Sequence, residues 1–110
     1  MAHYTPQKTA AYEQQVAWCA KQAMGVAGPL AGPVSVSITA CFGIPESWSQ
    51  KRKAAALWTR KASRPDLDNI IKSIGDGCNG IVWNDDSQIV TLECSKVYAL
   101  HAMVIVEVMG

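Results

Sequence analysis

The stretch RPDLDNIIKSIGDGC, residues 64–78, decides how this sequence folds. Arg64 precedes a proline, which disfavours the helical conformation and brings the chain in as an extended segment. Asp66 then stands where a helix N-cap is expected. Beyond it, apolar residues recur at helical spacing within about 100° of arc: Leu67, Ile70, Ile71, Ile74 and Cys78. The pattern predicts an amphipathic helix ending with the last of these residues. Two glycines inside it, Gly75 and Gly77, are explained only by close packing.

Acidic side chains on this helix and in a later turn are candidates for one site. Asp68, Lys72 and Asp76 lie four residues apart, so they stack on one face of the helix. The stretch Asn84-Asp85-Asp86-Ser87 predicts a polar turn just before a strand. If that strand lies beside the helix, three or four carboxylates converge. Such a cluster needs cations, because like charges in contact otherwise force some carboxylates to take up protons.

Oxygen ligands of this kind favour Mg²⁺ or Mn²⁺. A metal held there can lower the pKa of a bound water and stabilise the charge of a phosphoryl-transfer transition state. Lys72 could orient that water or neutralise a phosphate oxygen. From spacing alone a purely structural alternative stays open. Asp66 caps the helix, Asp68 is favoured at its positive end and pairs with Lys72 on the surface, and Asp85-Asp86 forms an ordinary turn.

The rest of the chain predicts a small α+β domain. Residues 6–24 carry apolar side chains at steps of three and four, and Thr5-Pro6 suits a helix start. Residues 34–42 alternate between apolar and polar side chains, as a half-buried strand does. Two more strands are predicted at 88–98 and 102–109. The last is apolar on nearly both faces, so it should be central in the sheet or covered by another subunit. We expect one domain with helices on one face of a mixed sheet.

Composition narrows the class of protein. The chain has 110 residues, enough for one domain, and its 49% hydrophobic and 17% charged residues exclude a disordered chain. It has no apolar run long enough to span a membrane and no basic segment followed by an apolar one at its N-terminus. We therefore expect a cytoplasmic protein. Its four cysteines form no CxxC pair and are expected to be reduced and buried.

A net charge of +1 conceals a basic block beside the acidic residues. Six of the ten basic residues fall between positions 51 and 64 with no acid among them: Lys51, Arg52, Lys53, Arg60, Lys61 and Arg64. Lys53 to Lys61 could form one or two helical turns, but we interpret residues 45–64 as a mobile loop. It is either an ordinary solvated loop or an arm that contacts phosphates, with Trp48 and Trp58 stacking on bases. Trp83, in contrast, is expected in the core.

Taken together, these motifs resemble one protein family. Pro65-Asp66-Leu67-Asp68-Asn69-x-x-Lys72, Asp76-x-x-Asn79-Gly80 and Asp85-Asp86-Ser87-Gln88 are similar to the RusA family of Holliday junction resolvases, of the phage or prophage type. The resemblance covers roughly residues 4–110. The basic segment corresponds to an insertion of phage-type members, whereas the strand with which family members usually begin is lacking ahead of the first helix.

The resemblance implies a homodimeric, Mg²⁺-dependent endodeoxyribonuclease that binds four-way DNA junctions and cuts opposed strands in recombination and repair. Three positions match the family's metal-binding aspartates: Asp66, Asp68 and Asp86. Lys72 matches the catalytic lysine. Asp76 and Asp85 match acidic positions that support the site. The six basic residues of the segment, with Trp48 and Trp58, are then DNA contacts.

Two other functions remain open for such a sequence. One is a catalytically impaired, prophage-derived module that binds junctions without cutting them. Cleavage assays with and without Mg²⁺ distinguish this module from a nuclease. The other is a structural dimerisation domain whose carboxylates serve as caps and turns. Close pairing of Asp86 with Asp66 and Asp68 in space would count against that second alternative.

Overall fold

The computed structural model describes the backbone of residues 6–110 and the side chains of residues 12–110. Its elements follow in the order α1 (Pro6–Met24), β1 (Val34–Gly43), α2 (Gln50–Ala56), α3 (Leu67–Cys78), a 3-10 turn (Asp86–Gln88), β2 (Ile89–Ala99) and β3 (Met103–Met109). The predicted α+β class is confirmed, and so are both long helices. Thr5, the expected cap of the first helix, lies outside the described residues.

The three strands form one mixed sheet in the order β2-β1-β3. β1 runs parallel to β2, with Ile38 opposite Cys94, and antiparallel to β3, with Ile38 opposite Val106. A parallel pair needs a long crossover connection, and residues 44–88 form it here, so the crossover carries every candidate catalytic residue. Within the described residues β3 pairs only with β1, so a central position for that strand is wrong. Cover by a second subunit remains the expectation.

The core lies between β1 and the two long helices. Alternate residues of β1, from Val34 to Ala40, are at most 3% exposed, as the alternation of the sequence predicts. α3 turns the apolar face predicted from its periodicity toward the same cluster, which includes Ile70, Ile74 and Cys78. Trp83 is fully buried, also as predicted. Each large side chain removed from water in this way stabilises the fold by about 1.5–3 kcal/mol.

α1 and α3 approach so closely that one position must be glycine. A Cβ at Gly77 would lie 2.6 Å from Val16 Cγ1 and 3.0 Å from the carbonyl oxygen of Glu13. Carbon atoms cannot approach so near, and a side chain at this position would push the helices apart. Close packing is therefore confirmed for Gly77, whereas Gly75 faces a carboxylate.

Part of the basic segment is helical, so the interpretation of residues 45–64 as a loop is wrong for α2. α2 follows the N-cap Ser49, whose Oγ accepts a hydrogen bond from the backbone N–H of Arg52 at 3.2 Å. Further on, Arg60 forms an antiparallel bridge with Val97 of β2. A side-chain cap and contact with a distant strand order a segment whose own periodicity is weak. Its mobility in solution stays a prediction.

The four cysteines are free thiols, as predicted. Cys41 and Cys78 are buried and Cys94 is half-buried, and burial raises the pKa of the Cys94 thiol. Cys19 lines an open groove between α1 and the sheet and is exposed, so the expectation of buried thiols is wrong for it. Among the described helices, none is long and apolar enough to cross a membrane.

Candidate active site

Asp86 opens the 3-10 turn, and a buried tryptophan holds its carboxylate. The Trp83 indole Nε1 donates a hydrogen bond to Asp86 Oδ1 at 2.7 Å. The carboxylate faces α3 at Gly75, where a Cβ would stand 3.8 Å from Oδ2 and 3.9 Å from Oδ1. Because the Trp83 ring is fully buried in the close-packed core, it cannot turn away. One carboxylate oxygen is therefore fixed, and the other can accept a ligand.

The charge of Asp86 also reaches the neighbouring thiol of Cys78. Burial, and after it the negative charge of Asp86, raises the pKa of this thiol to about 11. A thiol with such a pKa is protonated at neutral pH and is a poor nucleophile and a poor metal ligand. Cys78 therefore contributes packing to this part of the site.

Asp85 has a structural task at the same turn. Its Oδ2 accepts a hydrogen bond from the backbone N–H of Ser87 at 3.1 Å, which caps the 3-10 turn. Hydrogen bonds from the Ser87 side chain and backbone hold the pKa of the Asp85 carboxyl below its usual range. Asp85 thus caps the turn that carries Asp86.

Sequence reasoning missed Gln88 as a member of the site. Its Oε1 accepts hydrogen bonds from the backbone N–H groups of Asn84 at 2.7 Å and Asp85 at 2.9 Å, which completes a capping box with Asp85. Its Nε2 donates to the carbonyl oxygens of Leu30 at 2.8 Å and Gly32 at 2.9 Å. One amide therefore ties the acidic turn to the loop before β1. The spacing Asp-x-x-Gln is a capping-box pattern and could have pointed to it.

Asp66 and Asp68 stand exposed at the start of α3. Asp66 occupies the N-cap position but makes no side-chain capping hydrogen bond. Asp68 Oδ1 accepts a hydrogen bond from the backbone N–H of the next residue, Asn69, at 3.0 Å. Neither carboxylate accepts a hydrogen bond from a buried side chain, as Asp86 does from Trp83, among the contacts of residues 12–110.

Two lysines hold the backbone that leads to Asp66. Lys96 Nζ, on β2, donates to the carbonyl oxygens of Ser63 at 2.7 Å and Pro65 at 2.8 Å. Lys61 Nζ donates to the carbonyl oxygen of Arg64 at 2.7 Å and to Ser63 Oγ. Burial, and then the charge of Lys96, lowers the pKa of Lys61. Lys96 was not a predicted site residue, because its partners lie more than 30 residues away in sequence.

The two acidic parts of the site lie along one side of α3. Asp68, Lys72 and Gly75 follow one another at steps of four and three residues, so they share a stripe of the helix. The Asp86 carboxylate at Gly75 is thus two turns, or about 10 Å, from the level of Asp68. No group of three or more His, Cys, Asp or Glu residues in the described chain lies close enough to hold one cation. The expected convergence of Asp66, Asp68 and Asp86 is therefore not seen.

Structural roles account for only part of the acidic motif. Asp85 caps a turn, as the structural alternative requires. Asp66 makes no capping bond, and in the part of the chain that is described no ion pair joins Asp68 to Lys72. Asp76 is exposed one turn beyond Lys72. Asp68 lies in the first turn of α3, where a negative charge stabilises the helix, whereas no described contact assigns a structural task to Asp66, Lys72 or Asp76.

The six cations of the basic segment differ in whether another group of the protein already contacts them. Arg52 lies over the ring of Trp48 at 3.6 Å from its centroid, and Lys53 pairs with Glu46 at 3.7 Å. Lys61 is engaged by the loop before Asp66. Exposed residues without such engagements among the described contacts are Lys51, Arg60 and Arg64. The six predicted DNA-contacting cations are therefore not equally free to meet phosphates.

The fold and the site together define a class: a small α+β domain whose long crossover carries exposed carboxylates next to a basic segment. A family model described as Endodeoxyribonuclease RusA matches residues 2–109. The chain belongs to this family of endodeoxyribonucleases, and the resemblance found in the motifs is confirmed.

Two relatives illustrate the range of the family. An uncharacterised protein of Bacillus subtilis, YqaN, is 35% identical over 98 residues, which cover 86% of this chain and 68% of that protein. A protein of Lactococcus phage r1t named crossover junction endodeoxyribonuclease RusA is 41% identical over 66 residues. That match covers 59% of this chain and 45% of the phage protein, so the chain corresponds to less than half of it.

Proposed function

We propose that this protein is a Mg²⁺-dependent endodeoxyribonuclease that cleaves four-way DNA junctions as a homodimer. Membership of the family and the name of the phage relative support a branched DNA substrate. In a bacterial or phage-infected cell such a substrate arises in the cytoplasm during recombination and repair.

The observation that carries the proposal is a set of exposed charged side chains along α3 that face a firmly held carboxylate. Asp66, Asp68 and Lys72 are exposed on or beside one stripe of α3, and no described cap or ion pair accounts for them. Asp86 is held across the same stripe by a fully buried indole. The buried indole N–H needs an acceptor, and the bond that satisfies it also fixes the position of the Asp86 carboxylate.

Asp66, Asp68 and Asp86 would hold the metal. Mg²⁺ in phosphoryl-transfer sites usually takes one or two carboxylates and completes its shell with water and phosphate oxygens. The exposed carboxylates fit that donor chemistry even though three of them do not meet at one point. When bound, the metal supplies charge stabilisation at the phosphoryl group and a more acidic water.

Lys72 lies between the two acidic parts of the site. It is about one helical turn from Asp68 on one side and from Gly75, beneath the Asp86 carboxylate, on the other. An ammonium group in that position can neutralise a phosphate oxygen or orient the attacking water. Asp76 and Asp85 support the site from its border, Asp85 by capping the turn.

Dimerisation is supported by the free edge of the sheet. Cutting opposed strands requires two active sites, and this chain carries one set of motif residues. β3 is an edge strand in the described chain and exposes Met103, Ile105 and Met109. Apolar residues on an unpaired edge favour pairing with another chain. A monomer by sedimentation at micromolar concentration would contradict this part of the proposal.

The test is cleavage of an immobile four-way junction by Asp68→Asn and Asp86→Asn, with Glu93→Gln, an exposed acid on β2, as the matched control. Each site variant should lose roughly 100-fold or more in cleavage rate with Mg²⁺, because the metal contributes several kcal/mol to the transition state. Junction binding without metal should be unchanged or tighter, since a negative charge facing DNA is lost. Cleavage by Asp68→Asn at the wild-type rate would contradict the metal assignment.

A junction-binding module without cleavage is the second candidate. The two-turn separation of Asp68 from Asp86 favours it, because no described trio of ligands forms a closed site. The same assay decides: wild-type protein that binds junctions tightly but does not cut them with Mg²⁺ or Mn²⁺ supports the binding module.

A further inference from the structure

Trp58 combines two properties that are rarely found together in one residue. It has a φ of 64°, in the left-handed region, and its side chain is 57% exposed. It follows the C-cap of α2, Leu57, at the position where helices commonly end with a left-handed glycine. A bulky residue in this conformation is an outlier, because its Cβ crowds the following backbone.

The backbone around Trp58 is fixed by hydrogen bonds on both sides. The Trp58 N–H donates to the carbonyl oxygen of Tyr98 at 2.8 Å, and the Tyr98 N–H donates to that of Thr59 at 3.0 Å. The Thr59 N–H donates in turn to the carbonyl oxygen of Ala56 at 2.9 Å. These bonds impose the left-handed conformation, which glycine would adopt without strain. Neither local conformation nor burial therefore accounts for a tryptophan here.

The other tryptophan of the basic segment is already engaged. Arg52 covers the ring of Trp48 at 3.6 Å from its centroid, and the Tyr98 ring lies 5.2 Å from it with a tilt of 58°. Trp48 is half-buried, so its ring serves the packing of α2 against β2. The sequence suggested the same role for both tryptophans, but only Trp58 offers an exposed ring.

The surroundings of Trp58 indicate the chemistry of its partner. Residues 47–65 contain no acidic side chain, and the exposed Arg60 follows two residues after the ring. An exposed aromatic ring among cations fits a polyanion that also carries flat aromatic groups, and that is a nucleic acid. Within a continuous duplex both faces of each base are covered by neighbouring pairs. A base face is open only where the stack is interrupted, as at a branch point or in a single strand.

We infer that Trp58 is the platform on which an unstacked base of branched DNA packs. This inference rests on the proposed function, because it takes the substrate to be a junction. Arg60 and Arg64 then hold the adjoining phosphates, while Trp58 distinguishes a branch point from a plain duplex. The strained backbone keeps the ring presented to solvent in the absence of DNA.

The inference is tested by equilibrium binding, without metal, to an immobile four-way junction and to a linear duplex of the same length. Trp58→Leu should lose roughly tenfold in junction affinity and keep its duplex affinity, because stacking on one base is lost. Trp58→Phe, which retains a flat ring, should stay within about threefold of the wild type. Trp18→Leu is the matched control, since Trp18 is 63% exposed on α1, away from the basic segment.

Equal loss of affinity for junction and duplex in Trp58→Leu would overturn the inference, and so would wild-type binding to both. Trp58→Gly adds a second readout: its melting temperature should equal or exceed that of the wild type, because glycine removes the left-handed strain. A lower melting temperature would mean that packing explains the residue and would also overturn the inference. Absence of cleavage by wild-type protein with Mg²⁺ would instead defeat the proposed nuclease and leave these binding results interpretable.

Discussion

At one end of the site the carboxylate of Asp86 is itself hydrogen-bonded, by the buried indole of Trp83, whereas at the other end Lys61 and Lys96 hold only the backbone ahead of Asp66 and Asp68. We call these the Asp86 end, residues 83–88, and the Asp66 end, residues 61–68. The Asp86 end is anchored in the core through an aromatic ring. The Asp66 end is anchored near the surface through flexible ammonium groups.

This difference predicts that the two ends of the proposed site affect different properties of the enzyme. A carboxylate bonded to a fully buried group loses its rotamer freedom during folding, so ligand binding need not order it again. Asp66 and Asp68 keep that freedom, and a metal or a phosphate has to order them. The Asp86 end should therefore govern stability and rate, and the Asp66 end should govern how much metal is needed.

The largest expected effect is that of Trp83→Phe at the Asp86 end. The variant loses the hydrogen bond to Asp86 and leaves a cavity in the core, so the free energy of unfolding should fall by about 3 kcal/mol. Chemical denaturation measures this loss, and junction cleavage should fall with it. Trp18→Phe, an exposed tryptophan, should stay within about 0.5 kcal/mol. If both variants unfold alike, Asp86 is not anchored as described.

Next in size is the contrast between two glycines of α3. Gly77→Ala should lower the free energy of unfolding by about 2 kcal/mol, because its Cβ would clash with Val16. Gly75→Ala should raise it by about 0.5–1 kcal/mol, because alanine favours the helix and its Cβ would stand 3.8 Å from Asp86 Oδ2, at ordinary contact distance. A destabilised Gly75→Ala would show that Asp86 packs on α3 more tightly than this structure has it.

A smaller effect is expected from Lys96→Met at the Asp66 end. The loss of two hydrogen bonds to backbone carbonyls should cost about 1–2 kcal/mol of unfolding free energy. The more telling readout is the Mg²⁺ concentration for half-maximal cleavage, which should rise because Asp66 is less well placed. Lys21→Met serves as control, since Lys21 is exposed on α1 and makes no side-chain hydrogen bond or ion pair among the described contacts. An unchanged metal requirement in Lys96→Met would remove the distinction between the two ends.

The smallest effect concerns pH and the buried thiol beside Asp86. The pKa of Cys78 rises from its ordinary value of 9.0 to about 11 in the folded protein. The folded state therefore keeps a proton that the unfolded chain releases. Stability should be constant below about pH 8 and fall as pH rises from 9 to 11, with an upper limit of about 2 kcal/mol over this range that solvent screening lowers. Denaturation of Cys78→Ala should show a flatter dependence over this range, and an equal slope in both proteins would contradict the assignment.

Local patterns in the sequence were sufficient for the two long helices, the three strands and the acidic motif. The period of apolar residues predicts α3, and the alternation of Val34 to Ala40 predicts β1, because burial on one face imposes those periods. The candidate carboxylates were recognised from their spacing and from the family resemblance. Their approach in space was not predictable, since it depends on where the crossover places the 3-10 turn against α3.

The residues that hold the site escaped the sequence analysis for a physical reason. Gln88 donates to a carbonyl oxygen 58 residues earlier, and Lys96 to carbonyl oxygens 33 and 31 residues earlier. Such bonds depend on tertiary structure and produce no periodic pattern in the sequence. α2 was missed in the same way, because a short helix depends on its cap and its contacts more than on intrinsic propensity.

The chain is bonded to neighbouring residues at the end of β2 just before and just after residues 45–57. The Ile44 N–H donates to the carbonyl oxygen of Ala99 at 3.2 Å, and the Trp58 N–H donates to that of Tyr98 at 2.8 Å. Residues 45–57 therefore leave the domain and return to it at one place, and their number does not affect the strand register. Doubling the length of such an excursion costs only about 0.6 kcal/mol. The excursion that carries the free cation Lys51 can thus change in length and charge, while Trp58 and the acid-bearing helix stay in place.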